Sequence, residues 1–455
     1  MSSNKPTLLP IHHNPHPQDQ PTIPLSEYQQ RRQTLMANVL PNSLILLPAA
    51  SVSIRNRDAE YPFRQCSDFL YLTGFNEPEA LAVFIPQREA GEFVLFCRER
   101  DDKAEQWTGR RAGLEGAINH YAADQAYSIR TLNKHLPTLM DGCQAVYYAI
   151  GQDSRFDAQV MAWVNDLRGK VRQGKQAPHQ FMALTPILHE LRLIKSPAEI
   201  AMMQSAADTA IQAHRLAMQH CEAGLMEYQL DALFEFSFKQ AGMTAAYTSI
   251  VGGGENACIL HYIDNNQVLK DGDLVLIDAG AEHQAYASDI TRTFPVNGRF
   301  SPEQKIIYEL VLAAQQAAIT AAQPQQSWDA PHQAALKVLI EGLLQLGLLT
   351  GDLDSVIEDK SYRKFYMHNT GHWLGMDVHD VGQYKIDKAW RKLQAGMVLT
   401  VEPGLYLSPA DDIDPKWWNI GVRIEDDVLI TETGNEVLTA ALEKSVEAIE
   451  ALMRK

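Results

Sequence analysis

The segment DLVLIDAGAEHQAYASDITRTFP, residues 273–295, places two carboxylates at strand-like positions in apolar sequence. An apolar run ends in Asp278, a turn is predicted at about His283–Gln284, and a second strand includes Asp289. In a hairpin centred on that turn, residues 278 and 289 lie directly opposite each other, with their Cβ atoms ~4.5–5.5 Å apart. Facing carboxylates repel, so the segment predicts a sheet that brings the two acids together around a cation.

Two glutamates lie in similar settings further along the chain. Glu402 follows the apolar run MVLTV, and Glu425 lies within GVRIEDDVLI. A carboxylate among apolar strand residues is costly unless it is paired or binds a metal. A single acid in a strand is usually exposed, whereas four acids in such positions favour a shared metal site.

The segment MHNTGHWLGMDVHDVG, residues 367–382, contains three histidines. His368 and His372 are four residues apart, but the intervening sequence has a glycine and no glutamate, which argues against the metal-binding helix of a zinc protease. One histidine and four acids form an oxygen-rich ligand set, which suits Mn²⁺ better than structural zinc. Such a set can hold two ions ~3.5–4 Å apart and lower the pKa of a bridging water, so that hydroxide is available near neutral pH. The predicted reaction is hydrolysis of an amide or ester.

The length of 455 residues predicts two domains rather than one. Residues 1–25 are Pro-rich and polar, and we expect them to form a loosely ordered arm. Residues 26–185 are expected to form an α/β domain. Its strands are predicted at 43–50, 79–86, 92–97 and 145–150, and its helices include 26–39 and 156–168.

Residues 186–455 are predicted to form an α+β domain, with helices on one face of a largely antiparallel sheet. Ser196, Pro197 and Glu199 form a helix-capping signature, which Ser301, Pro302 and Gln304 repeat. Between these helices an apolar face is formed by Leu230, Leu233, Phe234 and Phe238. Further helices are predicted at 302–322 and 329–347, and strands at 257–262, 273–279, 285–294, 397–402 and 421–431.

Composition narrows the classes of partner. The formal net charge of −16 works against nucleic acid and anionic membranes as partners. No apolar run approaches the ~20 residues that span a bilayer, and the first residues lack the apolar core of a signal peptide. The five cysteines show no CxxC spacing, so neither a zinc knuckle nor a disulfide framework is predicted and a cytoplasmic location is expected.

The motifs IDAG, SDITRTFP, HWLGMDVHDVG, VEPGLY and RIED together resemble those of the pita-bread metallopeptidases, in both order and spacing. Within that family the sequence is most similar to the aminopeptidase P group. RNRDAEYPFRQCSDFLYLTGFNEPEA (55–80) and EQWTGRRAG (105–113) also resemble the N-terminal domain of that group. The resemblance covers about residues 26–455. It implies an α/β N-terminal domain followed by an α+β C-terminal pita-bread domain of the creatinase/aminopeptidase type.

The resemblance implies a metallo-aminopeptidase that removes the N-terminal residue of peptides with proline at the second position. It implies two Mn²⁺ ions per subunit, with Co²⁺ and Zn²⁺ as alternatives, and a homotetramer. His372 and Glu402 would hold one ion and Asp278 the other. Asp289 and Glu425 would bridge them. Glu402 is also implied as the general base for the attacking water.

Other residues match family positions that contact the substrate or support the metal cluster. The resemblance places His261 near the substrate amide and His379 near the scissile carbonyl. His368 matches a residue of the pocket for proline, with Arg423 and Tyr247 as neighbours. The remaining matches are Tyr406 as a hydrogen-bond partner of the cluster, Asp58 near the substrate N-terminus, and Trp107 and Arg172 reaching the site of a neighbouring subunit.

Four alternatives stay open from the sequence. A prolidase shares the five ligands and the reaction but accepts only dipeptides. A methionine aminopeptidase is disfavoured by the large N-terminal domain, and a creatinase, which uses the fold without metal, by the complete ligand set. The alternative from a different class is a catalytically inactive pita-bread module that binds peptides or proteins.

Overall fold

The computed structural model describes residues 20–454, which form two compact units. One unit spans Ile23–Arg192, and the other comprises residues 20–22 and 193–454. The units therefore meet at residues 192–193, whereas the sequence placed a domain boundary at 185–186. Of the predicted arm, residues 1–19 lie outside the described part of the chain.

The unit Ile23–Arg192, which we call the N-terminal unit, is built on a mixed sheet of six strands with the order β6-β5-β4-β1-β7-β8. The unit has eight strands, of which β2 and β3 lie outside this sheet and pair with each other. They are β1 (Ser43–Pro48), β2 (Ile54–Asn56), β3 (Ala59–Glu60), β4 (Leu81–Phe84), β5 (Phe93–Cys97), β6 (Gln125–Ser128), β7 (Ala145–Tyr148) and β8 (Gln180–Ala183). The helices are α1 (Leu25–Ala37), α2 (Ser67–Thr73), α3 (Asp102–Thr108), α4 (Gly113–Tyr121), α5 (Leu132–Met140), α6 (Ser154–Gly169) and α7 (Thr185–Leu193), which ends at the boundary.

The central strands of this sheet are those that the sequence predicted. β4, β5 and β7 are buried along their whole length, and β1 is buried except at its last residue. Side chains on both faces of these strands are covered, so the strands are continuous apolar runs rather than alternating ones. The edge strands β6 and β8 are more exposed and less apolar, and the sequence analysis did not find them.

The second unit, which we call the catalytic unit, contains six α-helices among its described residues. They are α8 (Pro197–His220), α9 (Glu227–Gln240), α10 (Pro302–Ala321), α11 (Ala330–Gln345), α12 (Leu353–Asp359) and α13 (Val446–Leu452). The capping boxes predicted before α8 and α10 are confirmed, with Ser196 Oγ accepting from Glu199 N and Ser301 Oγ from Gln304 N, both at 3.2 Å. Such caps stabilise a helix by ~1 kcal/mol each.

The strands of the catalytic unit are short and pair in antiparallel fashion. They are β9 (Thr244–Ala245), β10 (Ile250–Gly253), β11 (Leu274–Asp278), β12 (Ala281–His283), β13 (Tyr286–Ala287), β14 (Thr291–Pro295), β15 (Lys385–Ile386), β16 (Ala389–Trp390), β17 (Val398–Val401), β18 (Gly404–Leu407), β19 (Ile420–Arg423), β20 (Asp426–Ile430) and β21 (Asn435–Val437). The strand orders are β10-β11-β14, β13-β12-β9, β17-β20-β21, β18-β19 and β15-β16. Apolar residues of α8 to α11 pack with these strands in one core. In residues 20–454 no helix is both long and apolar enough to cross a membrane.

The strand predicted at 257–262 is wrong. Residues Gly254–Cys258 form a short 3-10 helix, and residues 259–262 belong to no strand. Gly254 has a φ of +56°, a left-handed conformation that turns the chain out of the sheet directly after β10. The polar groups that follow then bond to Glu227 instead of a neighbouring strand.

The predicted opposition of Asp278 and Asp289 is also wrong. Asp278 pairs with Thr291, because the hairpin turns at Gln284 and Ala285, one residue later than predicted. Both turn residues have positive φ, 48° and 69°, as a two-residue turn matched to the strand twist requires. Moving the turn by one residue shifts the pairing by two, so Asp289 lies outside the ladder, just before β14.

Candidate active site

The predicted ligands line one open cleft in the catalytic unit, with a volume of about 660 Å³. The five predicted ligands in its wall are Asp278, Asp289, His372, Glu402 and Glu425. They come from five places in the chain: the end of β11, the β13–β14 connection, the segment 367–382, the residue after β17, and the β19–β20 connection. Segment 367–382 contains no helix, as the sequence predicted.

Three of the predicted ligands are close enough to hold one ion together. One ligand atom from each of Asp289, His372 and Glu425 lies within 4.8 Å of the other two. The Nε2 atom of His372 lies 3.4 Å from Asp289 Oδ2 and 3.9 Å from Glu402 Oε1. The fourth predicted ligand, Glu402, is therefore adjacent to the same imidazole nitrogen.

The fifth predicted ligand, Asp278, is joined to Asp289 through a tyrosine. The hydroxyl of Tyr247 lies 2.6 Å from Asp278 Oδ1 and 2.5 Å from Asp289 Oδ1. Arg423 Nη2 donates to Asp278 Oδ2 at 2.7 Å. The two aspartates thus lie side by side although they are not paired across strands. Tyr247, predicted at the proline pocket, contacts the predicted ligands themselves.

The imidazole of His372 is oriented for ligation through Nε2. Its Nδ1 donates to the carbonyl oxygen of Trp373 at 3.0 Å, which turns Nε2 towards the carboxylates. Its backbone is held by Thr400, whose hydroxyl accepts from His372 N at 3.1 Å. Gly371 permits this approach, because a Cβ there would lie 2.0 Å from the Thr400 carbonyl oxygen.

The electrostatics of the cluster fit a bound cation. Burial and the neighbouring carboxylates raise the pKa of Asp289 and Glu425. Burial raises the pKa of Glu402 to about 7. Burial lowers the pKa of His372, but Asp289 and Glu402 outweigh it and raise that pKa to about 9. The raised pKa values of the acids show that their negative charges repel one another, and the raised pKa of His372 shows that the site favours positive charge. A divalent cation bound among these residues would relieve the repulsion.

A second chain of hydrogen bonds joins three further predicted residues beside the cluster. His368 Nδ1 lies 2.7 Å from the carbonyl oxygen of Asn369, so Nε2 accepts from the Tyr406 hydroxyl at 2.8 Å. The Tyr406 oxygen in turn accepts from Arg423 Nη1 at 3.1 Å. Burial and the Arg423 charge lower the pKa of His368 to about 3, which keeps this imidazole neutral. Arg423 thereby links this chain to Asp278.

The other two predicted histidines also line the cleft. His379 packs edge-on against His372, with ring centroids 4.3 Å apart, and burial together with the His372 charge lowers its pKa. His261 lines the same cleft and is exposed. The three remaining predicted residues, Asp58, Trp107 and Arg172, lie on the surface of the N-terminal unit, and Trp107 is 89% exposed.

The sequence analysis missed two buried residues that support the predicted ligands. The Thr291 hydroxyl lies 2.7 Å from Glu425 Oε2 and accepts from Arg423 Nε at 3.1 Å. Asp427 Oδ2 accepts from Asp289 N at 3.1 Å. Both lie two residues after a predicted ligand, which on a strand is the same face. Their spacing of two residues from a predicted ligand was the sequence signal that could have identified them.

Comparison with known proteins identifies both parts of the chain. Residues 201–432 match metallopeptidase family M24, and residues 28–147 match the aminopeptidase P N-terminal domain. The chain is 45% identical to the Xaa-Pro aminopeptidase of Escherichia coli, over 95% of this chain and 98% of that protein. It is 35% identical to human Xaa-Pro aminopeptidase 3, over 95% and 86% respectively.

Solved structures give the same result. An aminopeptidase of Pseudomonas aeruginosa superposes with a TM-score of 0.94 and 54% identity, over 95% of this chain and 98% of that one. Aminopeptidase P from E. coli with the inhibitor Pro-Leu superposes with a TM-score of 0.92 and 45% identity, over 95% and 98%. The predicted fold class, an α/β N-terminal domain and an α+β pita-bread domain, is confirmed.

Proposed function

The chain belongs to metallopeptidase family M24 and is a hydrolase that acts on peptides, and we propose that it removes the N-terminal residue from peptides with proline in second position. The observation that supports this most directly is the convergence of Asp289, His372 and Glu425 within 4.8 Å in an open cleft. An inactive peptide-binding module would have no need for buried acids that repel one another.

Two divalent ions, for which we propose Mn²⁺, fit this ligand set. His372 and Glu402 would hold one ion and Asp278 the other, with Asp289 and Glu425 shared between them. Two metal ions held by these ligands would polarise the scissile carbonyl and lower the pKa of a water molecule, so that hydroxide would be available near neutral pH. Oxygen donors outnumber nitrogen four to one, which favours a hard cation. Co²⁺ and Zn²⁺ remain the alternatives.

Glu402 is the proposed general base. It lines the cleft beside the His372 imidazole, with Oε1 3.9 Å from Nε2, where a carboxylate can take up and return a proton. In this proposal Glu402 takes the proton of the attacking water and passes it to the proline nitrogen, which needs a proton to leave. His379 and His261, which open onto the cleft, orient the substrate carbonyl and the amide on either side of the bond.

Selectivity for proline follows from what this bond lacks. A peptide bond to proline has no N–H, so a site without an acceptor at that position loses nothing when proline binds. We propose that the His368–Tyr406–Arg423 chain forms the wall against which the pyrrolidine ring packs, with Tyr247 holding the adjacent aspartates. Asp58 is proposed near the substrate N-terminus, and Trp107 and Arg172 as contacts to a neighbouring subunit of a homotetramer.

The test is cleavage of Arg-Pro-Pro-type peptides against the dipeptide Arg-Pro, with Mn²⁺ titrated into metal-free protein. We expect Mn²⁺-dependent release of the first residue from the longer peptides. Cleavage of the dipeptide alone would assign the chain as a prolidase instead. Protein that binds no metal and stays inactive after Mn²⁺ addition would identify a binding module.

A further inference from the structure

A fully buried carboxylate of the catalytic unit, Glu227, has no part in the mechanism above. It is the first residue of α9 and is 0% exposed. Its Oε1 accepts from Gly253 N at 2.8 Å and from Asn256 Nδ2 at 3.0 Å. Its Oε2 accepts from the Tyr262 hydroxyl at 2.8 Å and from Gln267 N at 2.9 Å. Four uncharged donors therefore surround one carboxylate.

All four donors belong to one stretch of chain. We call residues 254–267 the His261 loop; Gly253 directly precedes it, and the other three donors lie within it. Beyond the 3-10 turn at its start, this loop has no strand to hold it. The backbone N–H of Glu227 adds a fifth bond, to the Gln267 carbonyl oxygen at 2.9 Å. Glu227 thus secures the beginning, middle and end of the loop.

The loop presents its central residues to the cleft. Leu260, His261 and Ile263 line the cleft, whereas Tyr262 is only 8% exposed and packs with Ile250 and other buried residues. Of residues 260–263, Tyr262 alone is buried, and its hydroxyl reaches Glu227. Glu227 therefore holds Tyr262, and Tyr262 in turn fixes the backbone position of the adjacent His261.

We propose that Glu227 is a positioning residue that holds His261 against the substrate through Tyr262 and the His261 loop. The inference rests on the proposed function, because it assumes that His261 contacts the substrate. A carboxylate suits the task because it is acceptor-only, with about four lone-pair sites for four donors. A glutamine of the same shape would turn an NH₂ group towards two of those donors, and a backbone N–H cannot reverse its direction.

The test is a double-mutant cycle between Glu227→Gln and His261→Ala. We expect Glu227→Gln to lower kcat/KM about 10-fold or more in the unmodified protein, but by less than about 2-fold when His261 is already alanine. A residue that merely stabilises the fold would give the same loss in both backgrounds. Equal losses, or a fully active Glu227→Gln variant, would overturn the proposal.

A milder variant covers the case in which Glu227→Gln does not fold. Tyr262→Phe removes one donor, and in the same cycle we expect a smaller loss that again vanishes with His261→Ala. The matched control is Tyr308→Phe, because Tyr308 is also buried but donates to the Lys444 carbonyl oxygen, far along the chain from the His261 loop. The control is expected to keep normal kcat/KM, and a loss equal to that of Tyr262→Phe would count against the proposal.

Hydrogen exchange gives a readout that does not need activity. In Glu227→Gln and Tyr262→Phe, amides of residues 253–267 are expected to exchange faster while those of α10 stay unchanged. Unaltered amide exchange in the His261 loop would overturn the inference even if the enzyme assay showed no activity. Failure of the proposed function is distinguishable, since it appears in the unmodified protein as no cleavage of Xaa-Pro peptides.

Discussion

A buried ion pair behind the predicted metal ligands gives the most quantitative prediction. Arg292 Nη2 lies 2.7 Å from Asp426 Oδ1, and neither side chain is exposed to solvent. Arg292 directly follows Thr291 and Asp426 directly follows Glu425, and the side chains of Thr291 and Glu425 are hydrogen-bonded to each other. Neighbouring residues of extended chain point to opposite faces, so the pair lies on the side away from the cleft. Lys444 Nζ also lies 2.5 Å from Asp426 Oδ2.

The expected cost of Arg292→Met is about 3 kcal/mol of unfolding free energy. Breaking one half of a buried pair usually costs ~3–5 kcal/mol, because the other charge is left uncompensated. The lower end applies here, since Lys444 still faces Asp426 after the substitution. In a domain of this size, each kcal/mol lowers Tm by ~2–4 °C, so the variant should melt about 6–12 °C lower.

The same ion pair predicts how the stability of the fold changes at low pH. Burial raises the pKa of Asp426, but Arg292 and Lys444 outweigh burial and lower it from the ordinary 3.8 to about 2. An acid whose folded pKa is depressed stabilises the fold above its unfolded pKa, and this contribution is lost as pH falls through the folded pKa. The stability from Asp426 is therefore complete above about pH 4 and is lost towards pH 2. In Arg292→Met the folded pKa rises, so less of this contribution remains at any pH.

Guanidinium unfolding followed by tryptophan fluorescence, repeated between pH 7 and pH 3, measures both effects. The matched control is Lys305→Met, whose partner Glu447 lies 3.2 Å away with side-chain exposures of 41% and 75%. Exposed pairs contribute less than ~1 kcal/mol, so the control should unfold almost as the parent does. If Arg292→Met costs no more than Lys305→Met at pH 7, the reasoning about the buried pair is refuted.

Three further predictions concern the cleft. Asp289→Ala should abolish metal-dependent activity while circular dichroism stays largely unchanged; near-normal turnover would count heavily against the site. His379→Ala should mainly lower kcat and His368→Ala mainly raise KM, and steady-state kinetics showing the reverse would exchange their roles. Gly371→Ala should reduce both bound metal and activity, because its Cβ would collide with backbone 2.0 Å away; Gly169→Ala, with nothing within 4 Å, is the harmless control.

Those parts of the fold that depend on local chemistry were predictable from the sequence. The capping residues Ser196 and Ser301 set the starts of α8 and α10, because a side chain that caps its own helix needs no tertiary information. The buried strands β4, β5 and β7 were found for a similar reason, since a strand covered on both faces must be apolar throughout. The two aspartates and two glutamates brought into the cleft were identifiable as acids in apolar sequence, whereas His372 was singled out from its neighbouring histidines by the resemblance to the family.

Features that depend on backbone geometry or on distant partners were not predictable in this way. The one-residue error in the hairpin turn arose because Gln284 and Ala285 adopt positive φ without the asparagine or glycine that usually marks such a turn. The loop after β10 was mistaken for a strand because it contains apolar residues, but Leu260 and Ile263 line the cleft instead of packing in a sheet. Its true partner, Glu227, lies 26 residues before the first donor, Gly253, and no local pattern connects them.

The three consecutive acids Glu425, Asp426 and Asp427 show how the floor of the cleft tolerates its charge. The first faces the predicted metal position, the second faces away to Arg292, and the third returns to hold the backbone of Asp289. Alternation along the chain therefore separates Asp426 from Glu425 and Asp427, which share the other side. On the far side Arg292 and Lys444 compensate Asp426, whereas on the cleft side Arg423 reaches Asp278 and a bound metal would compensate the other predicted ligands. This division explains why the cleft acids have raised pKa values and Asp426 a lowered one, although they are neighbours in sequence. Burial and Asp289 also raise the pKa of Asp427, which is not a predicted ligand, so the compensation by Arg292 and Lys444 is what sets Asp426 apart from both of its neighbours.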